Sequence, residues 1–451
     1  MTKNENRLLT GKIAPALLAF ALPFMAASFL QSVYGAVDLF VVGQYANSAA
    51  VSAVSIGSQL IMTITALIQG ISMGGTVLIG RKIGEGDGEG TGRAIGNLVF
   101  LFFVIAAVMT PVMLFATNGM VTAMQTPPEA VEYARQYVFI CCAGTPFIVG
   151  YNAVSGIYRG LGDSKTPVIF IAIACVVNIG LDFLLTGYLG MGAAGAAIAT
   201  VTAQGVSFII ALIHMFRRGF SFPMHKNSFK PRKAELKSIL LVGVPLATQD
   251  VLVNVSFLAI SAIINTLGVT ASAAVGVVEK LMGFAFLVPG AFSSAVATAA
   301  SQNIGAGRED RARESMKWGM IFSFICGAVI VLLCQLIPST LIGIFSRDAA
   351  VIAAGSEYVR TYSLDCLLVS FVFSMNAYLN ARERSIISFA HSMAATFLVR
   401  IPMTWLMSRL SNGSLLPMGL AAPSASLLSI VICVLYFRWM WKKDKEKGVK
   451  I

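Results

Sequence analysis

Charge is what this 451-residue chain has least of. Only 12% of its residues are Asp, Glu, Lys or Arg, about half the share of a soluble globular domain, which is near 25%. Histidine is almost missing, with His214, His225 and His391 the complete set. No HExxH or paired-carboxylate signature accompanies them, so an intramembrane enzyme is not expected, and nothing suggests a cofactor or a bound metal. The seven cysteines (Cys141, Cys142, Cys175, Cys326, Cys334, Cys366, Cys433) form no CxxC pair and lie in apolar stretches. They are expected to be inert packing residues. Long polar stretches are also absent, which excludes a separate soluble domain.

What is present is hydrocarbon: 57% of residues are hydrophobic and the mean hydropathy is +0.79. Apolar runs of about 20 or more residues recur along the whole chain, each long enough to cross about 30 Å of bilayer core at 1.5 Å per residue. Charged or glycine-rich punctuation separates them into spans near 13–43, 48–80, 94–117, 130–158, 166–189 and 192–216, then 236–267, 269–300, 315–340, 350–380, 385–409 and 416–441. The first run follows Lys3, Arg7 and Lys12 but is about twice the length of a signal-peptide core, so it reads as a retained helix. The fold class expected is an all-α membrane protein of twelve spans.

The net charge of +12 is a topology signal. Lys and Arg cluster in alternate connections: the N-terminus, Arg81/Lys82/Arg93, Arg159/Lys165, the stretch 217–237, Arg308 to Lys317, Arg382/Arg384 and the tail from Arg438. Positive residues favour the cytoplasmic side, which places both termini there in a cell membrane and leaves no nucleic-acid partner to explain.

The two halves repeat. Ile83-Gly84-x-Gly86 in RKIGEGD matches Ile304-Gly305-x-Gly307 in QNIGAGR at an offset of 221, and the same offset pairs Ala53-Val54 with Ala274-Val275, Tyr137-Val138 with Tyr358-Val359, and Ser164 with Ser385. Pro23 and Pro245 pair at 222. Six spans per half is an even number, so both halves enter from the same side and the pseudo-twofold axis runs along the membrane normal, a geometry found in transporters. The divisions read as an N-terminal segment 1–12, an N-terminal lobe 13–216, a basic linker 217–235, a C-terminal lobe 236–441 and a tail 442–451.

Charged side chains inside spans are costly, about 2.5–3.5 kcal/mol each on insertion scales, and so mark candidate sites. Asp38 stands in VYGAVDLFVVG with Tyr34 four residues before it and Gln31 seven before, all on one helix face. Asn178 and Asp182 share a face of the fifth span, and Thr200, Thr202 and Gln204 lie on the sixth. Two carboxylates meeting in a dry niche repel each other when both are charged and can share a proton as a unit. The alternative is that they accept hydrogen bonds and staple helices together. The corresponding C-terminal positions hold no acid. That half has its own polar set, Asp250, Glu279, Lys280, Arg360, Asp365 and Arg400, which either meets a charged substrate or forms structural ion pairs. Glu279 and Lys280 point about 100° apart on a helix and need separate partners. Met282, with Met73, Phe284 and Phe286, is a candidate for an adaptable apolar wall. His391 reads as a packing or surface residue. Pro23 and Pro245 each remove a backbone donor inside a span and can bend it.

Twelve spans, a parallel repeat, IGxG loops and the Asp38/Asn178-Asp182 constellation together resemble the multidrug and toxic compound extrusion (MATE) family over about 10–441. The resemblance implies two six-helix lobes forming a V around a central cleft and antiport of organic, mostly cationic, amphipathic compounds against a cation. In the family branch with an acidic N-terminal lobe, residues matching Tyr34, Asp38, Asn178, Asp182 and Thr200 bind the coupling proton or sodium, and the residue matching Pro23 marks a bend. The chain departs at one position of that cluster, where Ser155 stands in place of a frequent Asn, with Asn152 one turn away. Another branch carries acids on the seventh and tenth helices, but Asp250 and Asp365 are about one turn out of that register. The reading is a proton-coupled exporter that works as a monomer in the bilayer on small organic compounds. A sodium-coupled exporter and a lipid-linked saccharide flippase of related fold are the alternatives.

Overall fold

The structure is a computed structural model that describes residues 7–219, 222–411 and 413–446. Lys3 and the tail beyond 446 lie outside the described residues. Inside hydrocarbon every backbone N–H and C=O must be satisfied within its own segment, which restricts a chain of this composition to helices. No strand occurs among the described residues. In the first half, α1 (Ile13–Tyr45), α2 (Ser48–Glu85) and α3 (Gly88–Ala123) are followed by the pair α4 (Val131–Ala143) and α5 (Thr145–Gly160). Then α6 (Lys165–Asp182) runs into a π-helical turn, Phe183–Tyr188, and α7 (Gly192–Arg218) completes the set. The second half holds α8 (Lys233–Asn265), α9 (Val269–Gly305), α10 (Glu309–Leu336) and the pair α11 (Ala349–Tyr362) and α12 (Asp365–Ala381). It ends with α13 (Ser385–Ala395), a π-helical turn Thr396–Arg400, α14 (Ile401–Leu410) and α15 (Ala421–Glu446). Among the described residues ten helices are long and apolar enough to cross a membrane, and counting each bent pair as one span gives twelve.

α1 and α8 continue as α-helix through Pro23 and Pro245. Breaks with bends of more than 40° fall at the same place in each half: α5 meets the helical segment before it at 47°, and α11 meets α12 at 44°. In the first case Pro146 lacks the N–H that would extend the ladder past Gly144. In the second, Leu364, Cys366 and Leu367 donate to carbonyls three residues back, tightening the helix locally.

The repeat is visible in the backbone itself. Gly86 and Gly307 adopt left-handed φ values of 69° and 70°, which an L side chain rarely takes. Gly86 N–H donates to Ile83 at 3.1 Å and Gly307 N–H to Ile304 at 3.0 Å, while Asp87 reaches Lys82 and Arg308 reaches Asn303. Both IGxG loops thus end their helices with one hydrogen-bonded motif that uses up orphan carbonyls.

The chain packs as two compact units, one formed by Leu22–Ala247 and the other by residues 7–21 with 248–446. The divisions cut α1 just before Pro23 and α8 just after Pro245. In the first unit, the opening turns of α8 lie against α2 through small residues. A Cβ at Gly74 would sit 2.1 Å from Ile239 O, one at Gly70 2.6 Å from Ala247 N, and one at Gly243 2.7 Å from Ile71 Cα. Gly70-x-x-x-Gly74 is therefore a close-approach seam in the sense used by membrane helices. The 217–235 connection docks on α3: buried Asn97 accepts from Arg232 N at 2.7 Å and donates toward Lys230 O at 3.3 Å. In the second unit, Arg382 bridges Asp444 at 2.7 Å and Glu309 at 3.7 Å, and Tyr378 donates to Glu309, tying the start of α10 and the ends of α12 and α15 together. All seven cysteines are free, and six are buried.

Candidate functional site

In the first unit, the fold brings α1, α6 and α7 around one dry point. Asp38, on α1, is 3% exposed; Asp182, at the end of α6, and Asn178, one turn before it, are both at 0%. The two carboxyl groups face each other closely enough to hydrogen-bond when one of them carries a proton. Thr200, on α7, donates its hydroxyl to Asp38 Oδ2 at 3.0 Å. Gln204, one turn along, donates to the Tyr34 hydroxyl at 3.1 Å, and Gln31 also hydrogen-bonds Tyr34. The five residues that the family resemblance grouped (Tyr34, Asp38, Asn178, Asp182, Thr200) are thus drawn into one neighbourhood. Thr202 is not: it is exposed.

The local geometry has a cause. Asp182 is the last α-helical residue before the π-helical turn Phe183–Tyr188, and such turns break the regular ladder and are frequent at functional positions. The first turns of α7 are fully buried through Ala193, Ala196, Ala197 and Ala199, small residues that let neighbouring helices approach closely.

The electrostatics are unbalanced. Neither Asp38 nor Asp182 makes an ion pair among the described residues. Asp38 Oδ1, both Asp182 oxygens, and both polar atoms of Asn178 are buried and find no hydrogen-bond partner among the described residues. Orphaned buried groups of this kind are costly unless a cation or proton satisfies them. The donor set of two carboxylates, an amide and a hydroxyl suits either a proton or a hard monovalent cation.

Spacing alone missed Tyr137 on α4. It is 2% exposed, lies within electrostatic reach of Asp38, and its hydroxyl is 3.0 Å from Ser58 Oγ. Its place in the repeat, opposite Tyr358, was the available signal. The departures at 152 and 155 do not fill the niche: Asn152 donates to Ile148 O at 2.8 Å, and Ser155 hydrogen-bonds Tyr151.

The second unit has a different centre. Arg400, at the end of the π-helical turn Thr396–Arg400, donates to the Tyr362 hydroxyl at 3.1 Å and stacks over Phe257 at 4.3 Å. Glu279, Asp365 and Tyr358 lie within its electrostatic reach, yet neither acid comes within 4 Å of it among the described residues. Asp365 is 6% exposed, hydrogen-bonds Ser426, and keeps Oδ1 without a partner. Asp250 is half-buried and Lys280 exposed, so Glu279 and Lys280 do take separate surroundings. Met282 is not on an open wall. It is 1% exposed and packs in the core with its sulfur 3.8 Å from Cys366 Sγ. His391 is buried at 1%, with Nε2 2.7 Å from Asn376 Oδ1.

The sequence profile of the MatE family matches the chain twice, over residues 23–184 and 245–406, so the matches start at Pro23 and Pro245. Among curated proteins, the chain is similar to "Probable multidrug resistance protein YoeA" of Bacillus subtilis (strain 168), with 26% identity over 99% of each chain. It is also similar to the "FAD transporter" of Shewanella oneidensis, with 21% identity over 96% of each. Among solved structures it resembles the outward-facing conformation of a multidrug resistance MATE family transporter of the MOP superfamily, with a TM-score of 0.92, 21% identity and coverage of 99% and 100%. That last likeness shows the shared fold.

Proposed function

The chain belongs to the MatE family of multi-pass membrane transporters, and on that footing we propose that it exports small organic compounds in exchange for protons taken up at Asp38 and Asp182. The observation that carries this reading is the set of buried carboxylate oxygens without donors, which a mobile cation satisfies and a static staple does not. Relatives named for multidrug resistance and multidrug export support small organic cargo.

Each residue then has a task. A proton entering from outside neutralises the pair and removes the repulsion between Asp38 and Asp182. Thr200 and the Gln204–Tyr34 link hold the α1 face toward α7 while the pair is charged. Neutralisation lets α1 repack, and Pro23, where the missing backbone bond makes bending cheapest, is the hinge. In the second unit Glu279 and Asp365, within reach of Arg400, and Asp250 on α8 meet the charged part of an amphipathic, cationic compound, with Lys280 at the exposed margin. Exchange requires that protonation change the affinity for cargo, a differential free energy between conformations.

The test uses protein in proteoliposomes loaded with a fluorescent organic cation, under an imposed pH gradient or an imposed sodium gradient. Efflux is expected under the pH gradient, and Asp38→Asn is expected to abolish it while the protein remains monodisperse. Undiminished efflux by that variant removes Asp38 from the mechanism. Efflux that follows only the sodium gradient replaces the proton with sodium at the same residues.

A further inference from the structure

The C-terminal end of α7 carries a feature that the exchange site does not use. Ile210, Ile213, His214, Arg217 and Arg218 fall on one helical stripe and line a cavity of about 390 Å³. The stripe changes chemistry along its length. It begins with isoleucines on a surface where Ile209, Ile213 and Phe216 are all open, Phe216 at 77%. It ends in an imidazole and two guanidinium groups.

These polar groups are not equivalent. His214 is fixed: its Nδ1 lies 2.7 Å from the hydroxyl of buried Tyr158, and its ring meets Phe170 edge-on at 5.6 Å. With Nδ1 taken up by the tyrosine, Nε2 is the ring's remaining polar atom. Arg218 is neutralised by Asp163 at 2.9 Å. Arg217 makes no ion pair among the described residues, so the net positive charge at the cavity is its own.

An apolar wall leading into a fixed imidazole and a free guanidinium, at the level where the helix leaves the membrane, matches a phosphodiester with an acyl chain attached. We propose that this cavity binds an anionic phospholipid, its phosphate between Arg217 and His214 and its acyl chain along Ile210 and Ile213. Basic pockets at the cytoplasmic ends of helices hold such headgroups through the same pairing of charge and hydrocarbon. Inorganic phosphate shares the charge but has no use for the isoleucines. The lipid site is independent of the exchange reaction, and its failure would leave that proposal untouched.

Native mass spectrometry of detergent-purified protein with phosphatidylglycerol or phosphatidylcholine of identical acyl chains tests this. Wild type is expected to prefer phosphatidylglycerol, and Arg217→Gln to weaken that binding about fivefold, the effect of one basic residue near an anionic surface. Arg217→Lys is expected to keep most of it, and the control Arg135→Gln, on the exposed face of α4, all of it. Ile213→Trp, which fills the cavity without touching a charge, is expected to displace the lipid as well. Equal retention of both lipids, or no difference between Arg217→Gln and the control, overturns the proposal. Competition by inorganic phosphate as effective as that by phosphatidylglycerol overturns it too, in favour of a soluble-anion site.

Discussion

Thr200→Val isolates one atom of the exchange site. Valine keeps the branched shape of threonine on α7 but removes the donor that sits 3.0 Å from Asp38 Oδ2. A hydrogen bond from a hydroxyl to a charged carboxylate is worth about 1.5–3 kcal/mol and one to a neutral carboxyl about 0.5–1.5 kcal/mol, so the donor favours the charged pair by about 1 kcal/mol. Removing it destabilises only the charged state selectively, and the coupling proton is then held about fivefold more tightly, because 1.36 kcal/mol corresponds to a factor of ten. The sign follows: the pH at which exchange is half-maximal moves upward, by about 0.7 units. Initial rates of dye efflux from proteoliposomes, recorded from about pH 5 to about pH 9, read this directly. Thr200→Ser retains the donor and is expected to track wild type. A profile that stays in place or moves to lower pH in Thr200→Val, or an equal shift in the serine variant, refutes the assignment of that hydroxyl.

Two further outcomes test the fold around the site. Asp163, in the turn before α6, is drawn upward by partial burial, but bonds from the Thr166 backbone and hydroxyl and from Arg218 outweigh this and hold its carboxyl below the usual range. Its contribution is therefore complete above the ordinary carboxyl value of about 3.9 and is lost as pH falls through the lower folded value. Asp163→Asn should lower thermal stability by about 1–2 kcal/mol at neutral pH, with the gap to wild type closing in acid; a gap that persists or widens there contradicts the assignment. Gly74→Ala puts a methyl 2.1 Å from Ile239 O, backbone that cannot swing aside. The variant should lose about 2–3 kcal/mol as α2 and the first turns of α8 separate, and an unchanged melting temperature would show that these helices do not pack this way.

What the sequence determined alone was whatever depends on neighbours within one helix. Apolar runs specified the helices, because hydrocarbon leaves no other way to satisfy the backbone. The repeated IGxG loops announced their own geometry, since a left-handed φ at Gly86 and Gly307 needs no distant partner. The pairs Tyr34/Asp38 and Asn178/Asp182 were legible because residues four apart on a helix share a face. Tertiary structure decided everything that depends on which faces meet. It alone could bring Asp38 to Asp182 and Thr200 while leaving Thr202 outside, since helix rotation separates residues two apart by about 200°. It put Met282 in the core instead of on an open wall, added Tyr137 to the niche, and placed sharp bends at the breaks at Gly144 and Ser363. Composition could not foresee those changes, because each side chain's surroundings are set by close packing against helices far away in the chain.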